Sequence, residues 1–309
     1  MRSRVVQWIG LAGAFGCLAV FAYQPSFPTP DKLLVFLTLL FIGFKRGKAL
    51  LLRLAPFVGL LLIYETFRGL VPHINHRVEY GWMPAVDRAL FGELPTATLQ
   101  QWLWSGQTQW YDIALYLFYM AHFVLPVALA LLVWKYREKF YGRYIISFVV
   151  LTLAGFLTFL LFPAAPPWLA AQEGVIEPVR RVSSDVWFSL GVNDFPSLYN
   201  SLSPNPVAAV PSLHAAYATL FSIFIFRFFG RRWGMLSVAY PLAIYFGTVY
   251  QGEHYVIDEL IGAAYGVGAY AVSGVKAFAS PPLRLPAAIK NLWLKSPRPY
   301  PNTAANTPE

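Results

Sequence analysis

Charge is scarce in this chain: 13% of its 309 residues are Asp, Glu, Lys or Arg, against roughly 25% in ordinary soluble domains. That shortage excludes a disordered chain, a coiled coil and an ordinary soluble enzyme. Cysteine is scarcer still. Cys17 is the only one and lies inside the first apolar run, so neither an internal disulfide framework nor a cysteine-based metal site can form. Histidine numbers five, no internal repeat or low-complexity block occurs, and no spacing suits a metal ion, so neither a metal nor another cofactor is expected. What is abundant is apolar: 57% hydrophobic and 17% aromatic residues, with a mean hydropathy of +0.50. Several runs approach or exceed the roughly 18 residues needed to cross a ~30 Å hydrocarbon core. The composition therefore predicts an all-α, polytopic transmembrane helix bundle.

Read with their Pro, Gly and charged punctuation, the apolar runs fall near 5–23, 31–44, 49–70, 111–134, 144–162, 212–229, 233–250 and 255–274, about eight spans. The run at 31–44 is short and flanked by Lys32 and Lys45, so a re-entrant segment would also suit it. The first run follows Met-Arg-Ser-Arg, but Ala22-Tyr23-Gln24-Pro25 makes a poor cleavage site, and the run reads as a retained helix. With the N-terminus in the cytoplasm, alternation through eight spans puts most of the 24 basic residues on the cytoplasmic side and nearly all the acids outside. The net charge of +9 is thus a topology signal and not a nucleic-acid footprint. Both termini are expected in the cytoplasm, in the plasma membrane. The expected organisation is N-terminal transmembrane helices over 1–70, an outer interfacial segment over 71–110, a transmembrane core over 111–275 and a cytoplasmic tail over 276–309.

Two outer segments, 71–110 and 163–211, are too long for simple turns, and long loops of this kind are usually functional. In the first, Val86–Phe91 and Leu99–Trp104 mix aromatic, apolar and polar residues in short pieces that suit interfacial helices. The second opens with Phe162-Pro163-Ala164-Ala165-Pro166-Pro167-Trp168, whose prolines end a helix and whose Trp suits the headgroup zone.

The histidines are His73, His76, His122, His214 and His254. His73 and His76 read as loop surface, and His122, near Tyr119 on an apolar helix, as a polar residue of that helix. His214, in Pro211-Ser212-Leu213-His214, and His254, followed four residues later by Asp258, stand at the outer mouths of two spans and share a membrane depth. On a helix, Asp258 comes up on the same face as the imidazole and can hold its Nδ1–H, leaving Nε2 as a base or nucleophile. Ionisable groups inside a span cost roughly 2.5–3.5 kcal/mol each at the centre and less near the mouth, and so need a functional reason.

Pro-Ser-Leu-His and His-x3-Asp resemble the second and third signatures of the type 2 phosphatidic acid phosphatase superfamily. The nearer likeness is to its branch of inositol phosphorylceramide synthases and their bacterial relatives, which precede these motifs with Pro-x-Ala-Pro-Pro-Trp, here Pro163 to Trp168. The likeness covers roughly 110–270, and 80–104 more loosely. It implies a six-helix phosphatase-type core and phosphotransfer through a phosphohistidine, with His254 as nucleophile, Asp258 as its orienter and His214 as general acid, then base. The chain departs from the family pattern where the third signature has an arginine: Thr248 stands there, and no Lys-x6-Arg-Pro occurs. Arg180 and Arg181, with Ser212 and the amides at the start of its helix, are the candidates for holding the phosphate, although loop carboxylates could equally occupy the two arginines.

Two readings share this chemistry. One is a membrane phosphotransferase moving a phosphorylated head group, phosphoinositol or a sugar phosphate, from a phospholipid or polyprenyl-phosphate donor to a hydroxylated acceptor. The other is a lipid phosphate phosphatase acting on phosphatidate or a polyprenyl (pyro)phosphate. Thr248 and the Pro-Pro-Trp segment favour transfer. A transporter would show Gly/Pro-broken helices in matching halves, and His-x3-Asp has no mirror in the first four spans.

Overall fold

The computed structural model describes residues 2–23, 30–43, 59, 64, 67–191 and 205–274. Secondary structure among the described residues is helical, apart from two isolated bridges. The helices are α1 (Arg2–Tyr23), α2 (Pro30–Gly43), α3 (Val71–Ile74), α4 (Trp82–Phe91), α5 (Pro95–Leu103), α6 (Trp110–Tyr136), α7 (Tyr141–Leu161), α8 (Pro167–Gln172), α9 (Val182–Ser189), α10 (Leu213–Phe229), α11 (Arg231–Ser237), α12 (Ala239–Tyr250) and α13 (Val256–Val272). By length and composition, α6 and the continuous stretch Glu138–Leu161 containing α7 suffice to cross a membrane. The runs at 5–23, 31–44, 111–134, 144–162, 212–229 and 255–274 each coincide with one helix. The run at 49–70 lies largely outside the described residues, as does the tail 276–309, so the architecture is a helix bundle whose number of crossings is not fixed at eight.

The run at 233–250 is two helices, α11 and α12, meeting at Val238. Pro241 has no N–H for the carbonyl of Ser237, four residues back, and the Ser222 hydroxyl donates to that oxygen instead at 2.9 Å. In α6, Pro126 likewise leaves the carbonyl of His122 without its helical donor, while Tyr144 OH donates to the Pro126 carbonyl at 2.7 Å.

The bundle is organised round α10, against which α6, α7, α12 and α13 pack. Its core holds Val127, Leu129, Val133, Tyr144, Phe148, Leu151, Phe159, Leu220 and Phe224. The outward faces are apolar as well: Leu117, Leu153, Leu157, Leu161, Leu242, Leu260 and Val267 are exposed, as lipid-facing side chains must be. The tightest seam is between α10 and α13. A Cβ on Gly262 would stand 2.2 Å from the carbonyl oxygen of Ser212, and one on Gly266 2.5 Å from that of Ala216, so the two backbones touch only because these residues are glycine.

A smaller apolar cluster, including Met83, Leu94, Ala164, Ala170, Val210 and Tyr255, ties the outer helices to the bundle. Ala164 is its hinge pin, because it pairs with Glu79 on one side and Ala208 on the other. Ala164 N–H donates to Val207 O at 2.9 Å and Ala209 N–H to Ala164 O at 3.1 Å, while Ala165 N–H reaches Glu79 O at 2.9 Å. The proline-rich segment after α7 is thereby stitched to the strand-like approach to Pro211-Ser212. Helices α4 and α5 replace the two short interfacial pieces expected at 86–91 and 99–104, extending both toward the N-terminus.

Candidate active site

The two histidine segments are joined through their backbones. Ser212 caps α10, its hydroxyl accepting from Ala215 N–H at 3.2 Å, and its own N–H donates to the carbonyl of Asp258 at 3.1 Å. On the other side, the turn after α12 folds back so that the N–H groups of Glu253 and His254 both reach Thr248 O, at 2.9 and 3.2 Å. Gly252 makes that turn at φ +80°, and a Cβ there would meet the carbonyl oxygen of Arg180 at 2.6 Å. Helix α13 then begins with its donors occupied: Asp258 Oδ2 takes Tyr255 N–H at 2.9 Å, and the carboxylate of Asp87, from α4, takes Val256 and Ile257 N–H at 2.9 and 3.0 Å. A carboxylate at a helix N-terminus satisfies orphan amides and the helix dipole together.

This scaffold brings His214, His254 and Asp258 into one cluster. His254 Nε2 lies 3.2 Å from His214 Nδ1, within hydrogen-bond range, so one proton lies between the rings. His254 Nδ1 lies 3.5 Å from Asp258 Oδ2, a charge contact longer than a good hydrogen bond. Burial pushes the pKa of the His254 imidazole down, but the contact with Asp258 and the charges of Asp258 and Glu253 outweigh it, and the net direction is up. His214 is in turn held by rings: Tyr119 stacks on it at 4.3 Å between centroids and His122 lies at 4.4 Å. His122, read from sequence as a polar residue of its helix, therefore sits against the general-acid candidate. Tyr119 and His122 share one face of α6 by their three-residue spacing, but nothing local in the sequence shows which helix meets that face.

The two arginines are engaged by carboxylates. Arg180 is half-exposed and grips Asp185 with Nε and Nη2 at 2.6 and 2.8 Å, with Trp104 beneath it at 4.9 Å. Arg181 is nearly buried over Trp168 at 4.2 Å and grips Glu253 with Nε and Nη2 at 2.8 and 3.3 Å, while Ser183 also donates to Glu253. Glu253 precedes His254, so Arg181 is coupled to the cluster through its partner. Burial alone pushes the Glu253 carboxyl up, but Arg181 and Ser183 hold it below the ordinary value. Gln100 positions the backbone of Arg180, accepting from its N–H at 2.8 Å and donating to its carbonyl oxygen at 2.7 Å and to Tyr250 O at 2.8 Å. Sequence reasoning missed Asp87, His122, Glu253 and Glu259, each of which matters only through a contact distant in the chain or across a turn. Among the described residues, no group of three or more His, Cys, Asp or Glu side chains is gathered as a metal cage.

Comparison with known proteins matches residues 81–272 to the PAP2 superfamily. The phosphoinositol dihydroceramide synthase of Bacteroides thetaiotaomicron is 30% identical over an alignment of 241 positions that covers 74% of this chain and 77% of that protein. The inositol phosphorylceramide synthase of Candida albicans is 27% identical over 222 residues, and the inositol phosphorylceramide synthase catalytic subunit of Saccharomyces cerevisiae 26% over 193. These cover 68% and 59% of this chain but 45% and 46% of the fungal proteins, so the chain spans less than half the length of either. No solved structure matches the chain.

Proposed function

The chain belongs to the PAP2 superfamily and is a membrane lipid phosphotransferase or phosphatase, and from that premise we propose that it moves a phosphorylated head group from a lipid donor to a hydroxyl acceptor through a phosphohistidine. The observation that carries this reading is the His214–His254–Asp258 cluster at the start of α10 and α13. His254 Nε2 attacks phosphorus, the bond to the lipid alkoxide breaks, and His214 gives that oxygen its proton. In the second half His214 takes the proton of the acceptor hydroxyl, whose oxygen attacks phosphorus and releases His254. Asp258 holds the ring and stabilises the positive charge it carries while phosphorylated. Because the two imidazoles touch at 3.2 Å, donor binding has to part them before phosphorus can reach Nε2.

Arg180, Arg181 and Ser212 are the proposed phosphate-binding residues, and a phosphate reaching the arginines competes with Asp185 and Glu253 for them. The names of the relatives support phosphoinositol as the head group, in preference to another sugar phosphate, and a ceramide-type long-chain alcohol as acceptor. The basic residues at the far ends of the helices support an active site on the extracytoplasmic face of the plasma membrane, with both termini inside.

The test is incubation of the purified protein with head-group-labelled phospholipids and polyprenyl phosphates, with and without ceramide-type acceptors, followed by separation of lipid from water-soluble products. Label should move into a new lipid only when acceptor is present, and His254→Ala should abolish the transfer. Release of water-soluble label at the same rate with and without acceptor would make the enzyme a hydrolase, and full activity in His254→Ala would sink the phosphohistidine.

A further inference from the structure

Beside the histidines lies a buried acid that the mechanism above does not use. Glu259, one residue after Asp258, is 2% exposed. Its Oε1 lies 2.7 Å from the hydroxyl oxygen of Thr248, and that same hydroxyl oxygen lies 2.7 Å from the carbonyl oxygen of Ile244. A threonine hydroxyl owns one proton, and a carbonyl oxygen can only accept. Two oxygens at 2.7 Å need a proton between them, or their lone pairs repel. In a helix the Thr proton goes to the carbonyl four residues back, here Ile244. The proton in the contact between Thr248 and Glu259 must then come from Glu259.

Burial and the neighbouring carboxyl groups point the same way, although the Ser212 hydroxyl and the charge of His254 favour the anion. Oε2 of Glu259 is buried with no hydrogen-bond partner, although the Ser212 hydroxyl bears on the carboxyl group. The α13 amides that would favour an anion are already taken, by Asp87 and Asp258. Titratable groups bear on Glu259 from its own stretch, His254 and Asp258, and from α12, Tyr245, whose hydroxyl is shared with Thr219, while the carboxyl group of Asp87 from α4 bears on Asp258 beside it. Two of these are carboxyl groups, and an ionised Glu259 with a bare oxygen would add a third negative charge in a dry place.

We propose that Glu259 rests as a neutral carboxylic acid, and that its neutrality is a positioning device: uncharged, it lets an anionic phosphodiester dock against His254, and ionised, it repels that donor. The protonation state stands on the geometry alone, whereas its effect on donor binding rests on the phosphotransfer reading.

Two measurements separate these. Infrared spectra of delipidated protein in a carbonyl-free detergent should show at neutral pH the C=O stretch of a buried protonated acid. The band should vanish in Glu259→Gln, and it should shift to higher frequency in Thr248→Val, which removes the acceptor of the acid's proton. In the transfer assay, KM for the phospholipid donor should rise about tenfold per pH unit once Glu259 ionises, while Glu259→Gln, which cannot ionise, should keep KM flat over the same range. Absence of the acid band from wild type, or its survival in Glu259→Gln, overturns the neutral acid. An alkaline rise in KM that persists in Glu259→Gln, or a wild type with no rise, overturns the role in donor binding. If no lipid is turned over at all, the phosphotransfer reading falls, and the infrared result still decides the state of Glu259.

Discussion

In the proposed mechanism His254 must be unprotonated at Nε2 to attack phosphorus, yet it stands among acid groups that favour its charged form. Its pKa lies above the ordinary value of about 6.5 because Asp258, with Glu253, outweighs the opposing effect of burial. A raised histidine holds its proton to higher pH, so the acidic limb of kcat/KM should lie above pH 6.5, with activity growing as pH rises through the shifted value. Replacing Asp258 with Asn removes one of the groups that raise it, so the limb should move to lower pH, and kcat should fall by about 10²-fold or more as the ring loses its orienter. A limb that stays in place in Asp258→Asn would show that the aspartate does not act on the nucleophile. The same shift has a consequence for folding. Its stabilising contribution is complete below about pH 6.5 and is lost as pH climbs through the raised value. The clustering of His214, His254 and Asp258 was legible in sequence because each member sits in a short motif, and four-residue spacing puts Asp258 beside its histidine. Its support was not, since Tyr119 and His122 meet His214 across some 90 positions of chain, and a buried pair such as Arg181–Glu253 forms only once the turn at Gly252 is made.

Helix α13 carries Asp258, the proposed orienter of His254, and its placement depends on features that are invisible as helical periodicity. Asp87 caps it from α4, and Gly262 and Gly266 let it touch α10. The apolar runs predicted the helix itself and its range to within a few residues, because lipid demands a long apolar segment with every backbone group satisfied. They could not predict the seam, for a glycine in an apolar run reads the same whether it faces lipid or another backbone. The contrast between two glycines of α13 tests this. In Gly262→Ala the new Cβ, placed 2.2 Å from the Ser212 carbonyl oxygen, forces the helices apart and strains the Ser212 N–H bond to Asp258, thus separating His214 from His254. Stability should drop by about 1–3 kcal/mol, as overpacking does, and kcat should fall at least tenfold. Gly268 has open space where its Cβ would be, so Gly268→Ala should leave kcat within about twofold and raise stability by roughly 0.5–1 kcal/mol through helix propensity. Thermal unfolding in detergent and turnover of the two variants side by side would show it, and equal behaviour would dismiss the seam as the device that sets the histidine distance.

The molecule as a whole is polarised along its helices. His214 and His254 stand at the N-terminal ends of α10 and α13, and the opposite ends are collared by arginine. Arg137 Nε donates to Phe228 O at 2.8 Å at the end of α10, and Arg143 Nη2 donates to Tyr270 O at 3.2 Å at the end of α13, with its guanidinium 4.1 Å from the Tyr270 ring. Cations there complement helix C-termini, and together with Lys135, Lys139, Arg227, Arg231 and Arg232 they make a basic end remote from the histidines. Loops flanked by Lys and Arg remain in the cytoplasm because translocating them is opposed. The fold gathers these basic residues at the end of the bundle opposite the histidines, and the positive-inside rule then predicts that this end faces the cytoplasm. Single-cysteine probes can check it after Cys17 is replaced by Ser. A cysteine introduced at Ala171, in α8 on the histidine side, should react with a membrane-impermeant maleimide in intact cells. One introduced at Arg232, in α11, should react only after the membrane is permeabilised. The reverse pattern would turn the catalytic cluster toward the cytoplasm, and donor lipid would then have to be drawn from the inner leaflet.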